Sequence, residues 1–366
     1  MGEPSQAVRD LVAERQAARQ ERDFARADAL REQLRAAGWL VRDTPAGPEL
    51  AEVPPYEAVD PAALRPRWDE PDRHEVTVVV HVAGWPQDVA RAVTALAAHC
   101  GGVDHEVVLV DDGAGEETGR ALEDLARAVE RVRVLHLSPA LGFGAAMNLA
   151  MGQALGRVLV WLDPHVEATG DLLAPLLEAL TAPDAGLAGG WGVVTTSMLE
   201  FEADQGPEVD AVEGYLLAVP RALAARVAVD ARDRYYRNAD LDYSFAVRDL
   251  GYSIHRGTRR GSSGPLRSSD RGTPSGFPGP LRASDRGTPS GGLRGAEPPA
   301  VAGFPGPLRA YRVDVPARRH RHRAFHETDP SERDRASRKN YDRFLARWKS
   351  RTDLLTHGFR GYHRHR

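Results

Sequence analysis

The chain has 366 residues, 42% of them hydrophobic, and a net charge of −4, enough material for one large domain or two smaller ones. No apolar run reaches membrane-spanning length, and the N-terminus is polar and acidic rather than signal-like, so a cytoplasmic protein is expected. Cys100 is the single cysteine, which excludes an internal disulfide and a cysteine-rich metal site and reads most simply as a small residue at a helix end.

In chain order, residues 5–37 predict a helical hairpin. Val8, Leu11 and Val12 share one face, and Phe24, Ala27, Leu30 and Leu34 share another, with Gly38 as the stop. The hairpin, taken as 1–43, gives way to a linker over 44–74, rich in acids and marked by Pro54, Pro55, Pro61, Pro66 and Pro71. An α/β block follows over 75–256. Strands are predicted near 76–82, 106–111, 132–137 and 157–162, and helices near 86–99, 116–130, 143–154 and 170–181. This alternation predicts an α/β fold, a mostly parallel sheet with helices on both faces.

Residues 257–309 are low in complexity. The segment 264–276 recurs at 279–291, and Gly, Pro, Ser and Arg dominate, so an insert without a core of its own is expected there. Strand-like residues flank it at 252–255 and 311–315. The last section, 310–366, predicts a helix near 330–350 with Tyr341, Phe344, Leu345 and Trp348 on a packing face. From Arg256 onward there are 25 basic and 10 acidic residues, so the rest of the chain is markedly acidic. A basic end can meet phosphate groups or an anionic membrane surface, which allows peripheral membrane contact. Only Lys339 and Lys349 are lysines, so arginine usage is global and carries little local meaning.

Two strand ends stand out. Glu106–Val110 closes in Asp111-Asp112-Gly113, and Arg157–Leu162 closes in Asp163-Pro164-His165. Ligands of open α/β sheets sit beyond the carboxyl ends of the strands, so acids there point to a site. A second reading remains beside this one: Asp111 and Asp112 can cap the following helix.

The α/β block resembles the nucleotide-sugar-binding part of family 2 glycosyltransferases, which have the GT-A fold. The likeness rests on four pieces in order: the strand Val76–Val82; Val110-Asp111-Asp112-Gly113 with Thr118; Leu141-Gly142-Phe143-Gly144-Ala145-Ala146-Met147-Asn148; and Trp161-Leu162-Asp163-Pro164-His165 in the place of Asp-x-Asp. Further on, Ala239-Asp240-Leu241-Asp242 is similar to the family's Glu-Asp-x-Asp-Leu stretch, with Ala239 in place of the Glu. The resemblance implies transfer of a sugar from a nucleotide-diphosphate donor to a hydroxyl acceptor, saccharide or lipid-linked, with inversion. It implies Asp111, Asp112, Gly142, Asn148 and Asp163 as nucleotide-sugar contacts, with Asp111 at the base or ribose, and Asp240 as catalytic base. It also implies a divalent ion, manganese or magnesium, with Asp163, His165, His320 and His322 as candidate ligands. A carboxylate must accept the proton of a high-pKa hydroxyl, and a cation can neutralise the leaving diphosphate. Asp240 also reads as a helix N-cap, and the His-Arg run 318–323 as a solvated basic segment.

The N-terminal stretch, with Ala27-Asp28-Ala29-Leu30-Arg31 and Asp43-Thr44-Pro45-Ala46-Gly47, resembles the C-terminal helical piece of cysteinyl-tRNA synthetases. Docking to a protein partner or self-association is the expected role. The even mixture of acids and bases on the hairpin argues against nucleic acid. Two alternatives stay open. His165 and Ala239 fit a degenerate relative that binds a nucleotide or sugar without turnover. The hairpin and basic tail fit an RNA- or tRNA-associated binding protein.

Overall fold

A computed structural model describes residues 3–44, 47–258 and 306–361. The tandem repeats of the low-complexity insert lie outside the described residues.

The chain opens with helices α1 (Gln6–Gln20) and α2 (Phe24–Ala36), followed by an antiparallel pair, β1 (Trp39–Thr44) and β2 (Gly47–Glu52). Ser5 and Asp23 cap the two helices by accepting from Val8 and Arg26 N–H. Buried Arg15 reaches Asp43 through paired bonds of 2.9 and 2.8 Å, joining α1 to β1. Thus β2 occupies the start of the stretch read from sequence as a linker. The rest of that stretch lies along the α/β body: Tyr56 stacks on His136 at 3.7 Å, and Val59 bridges Leu137. Arg221 holds it further down, donating to the carbonyls of Arg67 and Glu70 and to Asp72.

The body contains β3 (His74–Val82), α3 (Pro86–His99), β4 (His105–Asp111), α4 (Glu116–Ala128), β5 (Val132–His136), α5 (Phe143–Gly152), β6 (Gly156–Leu162), β7 (Val166–Ala168) and α6 (Leu173–Ala179). Next come β8 (Ala185–Gly189), β9 (Gly192–Val194), β10 (Glu202–Asp204), β11 (Glu208–Val209), β12 (Ala211–Val212), β13 (Leu216–Pro220), α7 (Arg221–Ala224) and α8 (Ala239–Thr258). After the insert follow β14 (Arg309–Arg312), β15 (Ala317–Arg319), α9 (Arg323–Glu327) and α10 (Pro330–Trp348).

The main sheet has the order β11-β14-β8-β13-β6-β3-β4-β5. β6, β3, β4 and β5 are parallel, and β13 runs antiparallel between β6 and β8. Period-2 alternation divides each central strand between two cores. Val78, Val80, Val82, Leu109 and Val160 meet α3, α4 and α6. Val79, Val108, Val110, Leu159 and Trp161 meet α5, α8 and α10. Both faces are covered, which is why these strands read as unbroken apolar runs. Each such fully buried side chain contributes about 1.5–3 kcal/mol.

Cys100 caps α3, is buried, and accepts the Leu172 N–H at 3.3 Å. Phe344 and Trp348 are buried against α8, and the Trp348 indole donates to Asp242 at 2.6 Å. The strand expected at 252–255 is a correction: α8 carries helix through those positions. The aromatic and β-branched residues there favour a strand locally, yet the helix begun at Ala239 runs on through them. A Cβ on Gly251 would stand 2.4 Å from the Gly306 carbonyl, so glycine lets the returning chain press against the helix.

Candidate functional site

Strand parity sorts the acids before any ligand is considered. Asp111 continues the Val107–Leu109 face and points toward α4. It is buried, accepts from Ala114 N–H at 2.8 Å, and faces His136 Nδ1 at 2.8 Å. Asp112 continues the other face. It accepts from Leu141 and Gly142 N–H at 2.6 and 2.8 Å and stands 3.4 Å behind His81 Nε2. Burial opposes its charge, but His81 and these backbone donors bring its pKa below the usual carboxylate range. Asp112 therefore fixes the turn into α5. Gly142 has φ +86, and a Cβ there would meet the Arg234 backbone at 2.9 Å. Asn148 clamps Val229, donating to its carbonyl and accepting from its N–H at 2.8 Å each.

Asp163 continues the Leu159–Trp161 face beyond β6. Its Oδ1 accepts from His165 N–H and faces His165 Nδ1, both at 2.8 Å, and its Oδ2 faces His322 Nε2 at 3.1 Å. Burial works against its charge, yet the bonds and charges of His165 and His322 hold its pKa far below the usual carboxylate range. The two imidazoles stack at 4.1 Å, and Tyr236 stacks on His322 at 4.5 Å. Burial pushes the Tyr236 hydroxyl pKa strongly up, so it stays a neutral phenol. One donor atom from each of Asp163, His165 and His322 lies within 4.8 Å of the others. One carboxylate and two imidazoles suit a divalent transition metal such as manganese better than magnesium, which prefers oxygen alone. His320 is not in this group; its Nε2 meets Glu167 at 2.5 Å, while its N–H binds the His165 carbonyl.

The backbone after β15 carries His322 to this place. Arg323 N–H donates to His165 Nε2 at 3.0 Å, and the Arg323 guanidinium lies 3.2 Å from Asp88, a buried acid in the first turn of α3. The Trp85 indole donates to Glu327 at 2.9 Å. Thus α9 is tied across to the β3–α3 turn.

Two cavities meet at the cluster. The first, about 300 Å³, lies beyond β3 and is lined by His81, Gly84, Trp85, Phe143, Trp161 and Arg234, among others. The second, about 710 Å³, is lined by Glu213, Tyr215, Asn238, Asp240, Arg319 and Phe325, among others. Phe143, Asp163, Gly214, Tyr236 and His322 line both. Volumes of this size suit small ligands.

Asp240 begins α8 and accepts from Gly214 N–H at 2.8 Å and Leu241 N–H at 3.0 Å. Burial raises its pKa, and those backbone donors only partly offset the rise. Glu213 shares the chamber, on the turn before β13; burial and then the charge of Asp240 raise its pKa, against a smaller lowering by Arg319. Two acids with raised pKa values share this chamber, an arrangement suited to proton transfer.

The structure thus places Asp163 and His322 on the wall shared by both cavities, His165 on the smaller and Asp240 on the larger. Asp111, Asp112 and Asn148 line neither cavity; the two acids accept from loop N–H groups ahead of α4 and α5 without capping either helix, and Asn148 ties α5 to Val229. His320 lines the larger cavity but is bound to Glu167. Sequence reasoning did not single out Asp88, Trp85, Arg234 or Tyr236 as site residues. Only the non-glycine positive φ of Trp85 marks its turn as special, and that is a structural quantity.

A parallel strand core with a carboxylate–imidazole cluster and paired cavities at its carboxyl edge defines a mixed α/β domain with a candidate ligand site. Residues 76–211 match the family described as Glycosyl transferase family 2, and residues 1–47 match the Cysteinyl-tRNA ligase anticodon binding domain. The chain is 39% identical over 77 residues to N-acetylgalactosaminyltransferase 6 of Drosophila melanogaster, covering 20% of this chain and 12% of that protein. It is 57% identical over 42 residues to a cysteine–tRNA ligase of Solidesulfovibrio magneticus, covering 12% of this chain and 9% of that protein. The chain therefore spans only a small part of these curated relatives. Among solved structures, one of GalNAc-T7 with UDP, GalNAc and Mn2+ aligns with a TM-score of 0.42 at 17% identity, over 49% of this chain and 41% of that one. No helix among the described residues is long and apolar enough to cross a membrane.

Proposed function

We propose that the protein is a glycosyltransferase that moves a sugar from a nucleotide-diphosphate donor to a hydroxyl acceptor. The observation that carries this reading is the Asp163–His165–His322 cluster on the wall between two cavities, with Asp240 in the larger one. The family match over 76–211 supports it. The smaller, aromatic cavity takes the nucleoside end of the donor, and the larger takes sugar and acceptor. Asp163, His165 and His322 would hold a divalent cation, manganese by donor chemistry, which neutralises charge on the diphosphate.

The chain's own groups do the rest. Gly214 and Leu241 N–H aim the Asp240 carboxylate into the chamber, where it takes the acceptor hydroxyl proton. The acceptor oxygen bonds to the anomeric carbon as the bond to the diphosphate oxygen breaks, and the nucleoside diphosphate leaves with that electron pair. One displacement inverts the anomeric centre. The raised pKa of Asp240 makes it a stronger base than an ordinary carboxylate. Phe143, Tyr236 and the stacked imidazoles wall the junction from water.

The test is a panel of nucleotide sugars read by melting temperature with and without manganese, then by product anomer in NMR. A nucleotide shift that needs manganese, followed by an inverted product, is expected; no shift with any nucleotide removes the reading. In the same reading the N-terminal hairpin serves docking or self-association, and an unchanged sedimentation coefficient per mass on deleting residues 1–43 would remove that part.

A further inference from the structure

The larger cavity carries an electrostatic pattern that the transfer reaction does not require. Arg237, Arg319 and Arg321 line it, and all three are exposed at its mouth, whereas Glu213, Asp240 and Asp163 lie deeper. Among the described residues no carboxylate stands within ion-pair distance of these three guanidinium groups. Elsewhere in the same C-terminal stretch arginines are paired: Arg309 with Asp184, Arg323 with Asp88, Arg343 with Asp233, Arg347 with Asp242 and Arg351 with Asp249.

Two of the three groups, Arg319 and Arg237, are held in place by aromatic rings. Arg319 lies 5.0 Å from the Trp191 ring centroid and 4.7 Å from that of Tyr215. Arg237 lies 5.3 Å from the Phe325 centroid. Cation–π contact fixes a planar fork while leaving its N–H donors free for a ligand. Like charges gathered at one mouth repel until an anion sits among them.

We propose that the acceptor is an anionic hydroxyl compound, bearing a phosphate or carboxylate that Arg319, Arg237 and Arg321 hold at the mouth of the chamber. The inner acids repel that anion, so the molecule enters with its hydroxyl leading toward Asp240. Arg319 is the principal specificity residue, because its fork is the one braced on two rings. This rests on the glycosyltransferase reading of the same site.

The experiment uses the full chain, manganese and the nucleotide sugar that gives the largest melting shift. Acceptor probes come in matched pairs: glycerol 3-phosphate or glycerate against glycerol, and glucose 6-phosphate against glucose. Charged members are expected to be glycosylated with kcat/KM about ten-fold or more above their neutral partners, and the phosphate–carboxylate comparison shows which anion is taken. Arg319→Ala should raise the KM for the charged probe about ten-fold, and Arg319→Lys should restore part of it. Equal use of neutral and charged probes, or no saturable use of any charged probe, overturns the proposal. So does an Arg319→Ala defect confined to the nucleotide's melting shift, which would assign the arginines to the donor. Absence of any nucleotide shift in the parent protein would instead sink the transferase reading itself.

Discussion

Asp163→Asn isolates the central acid with almost no change of shape. Oδ1 of the native carboxylate serves His165 twice at 2.8 Å, and Oδ2 serves His322 Nε2 at 3.1 Å. His322 Nδ1 lies 3.3 Å from the Phe325 N–H, which makes it the acceptor and leaves the proton on Nε2. An amide that keeps its oxygen toward His165 therefore points its NH2 at an N–H. Flipping the amide moves the same conflict to His165, whose Nε2 already accepts from Arg323 N–H. The first orientation loses one charge-assisted bond, at about 1.5–3 kcal/mol, and the flipped one loses two. The substitution also removes the anionic member of the candidate metal set. Urea denaturation should show that loss of stability, and electron paramagnetic resonance of free manganese should show the parent depleting the signal while the variant does not. A variant as stable as the parent that still takes up manganese would refute both the hydrogen-bond assignment and the metal site.

Four further outcomes follow from the geometry. Asp240→Asn should lower transfer about 10²–10⁴-fold while nucleotide still shifts the melting temperature; retained turnover would place the base elsewhere. Glu213 has a raised pKa, so its ionisation disfavours the folded state as pH rises through that value. Glu213→Gln should therefore stabilise the protein at neutral pH and not below about pH 4, as read by melting curves across pH, and an equal effect at both would contradict the assignment. Asp210→Ala removes the carboxylate 3.4 Å from buried Arg248 and leaves Thr195 and Thr356 N–H without their 2.7 and 2.6 Å acceptor, so it should cost about 3–5 kcal/mol in urea titration, and a loss below about 1 kcal/mol would show the pair is not structural. Gly144→Ala would set a Cβ 2.2 Å from the Asp230 carbonyl and push the Arg234–Tyr236 loop from the smaller cavity, at about 1–3 kcal/mol and with a weaker nucleotide shift; an unchanged melting curve would deny that packing.

The β3, β4 and β6 strands and the helices beside them were legible because both faces of each strand are buried and the apolar runs are nearly unbroken, whereas β5, a half-buried edge strand, shows only the alternation of Val132 and Val134 around Arg133. β8 was not legible. Its Ala-Gly-Leu-Ala-Gly has no strand propensity, and glycine is needed because a Cβ on Gly189 would meet Val212 at 2.1 Å. The helix through 252–255 was misread for the converse reason, a local strand preference in residues that continue α8.

The chain by itself determined the α/β alternation, the acids at two strand ends and the histidines after the insert, since these follow from local pattern and short-range spacing. Only tertiary structure decided what each acid does. One residue of strand register turns Asp111 toward α4 and places Asp163 at the cavities, although both close apolar strands. Likewise, only the return of β15 against β7 brings His322 rather than His320 to Asp163, a choice set by pairing across more than 150 residues. Side-chain period and long-range pairing, neither visible at a single motif, separate the acids that hold loops from the acid that lines the cavities.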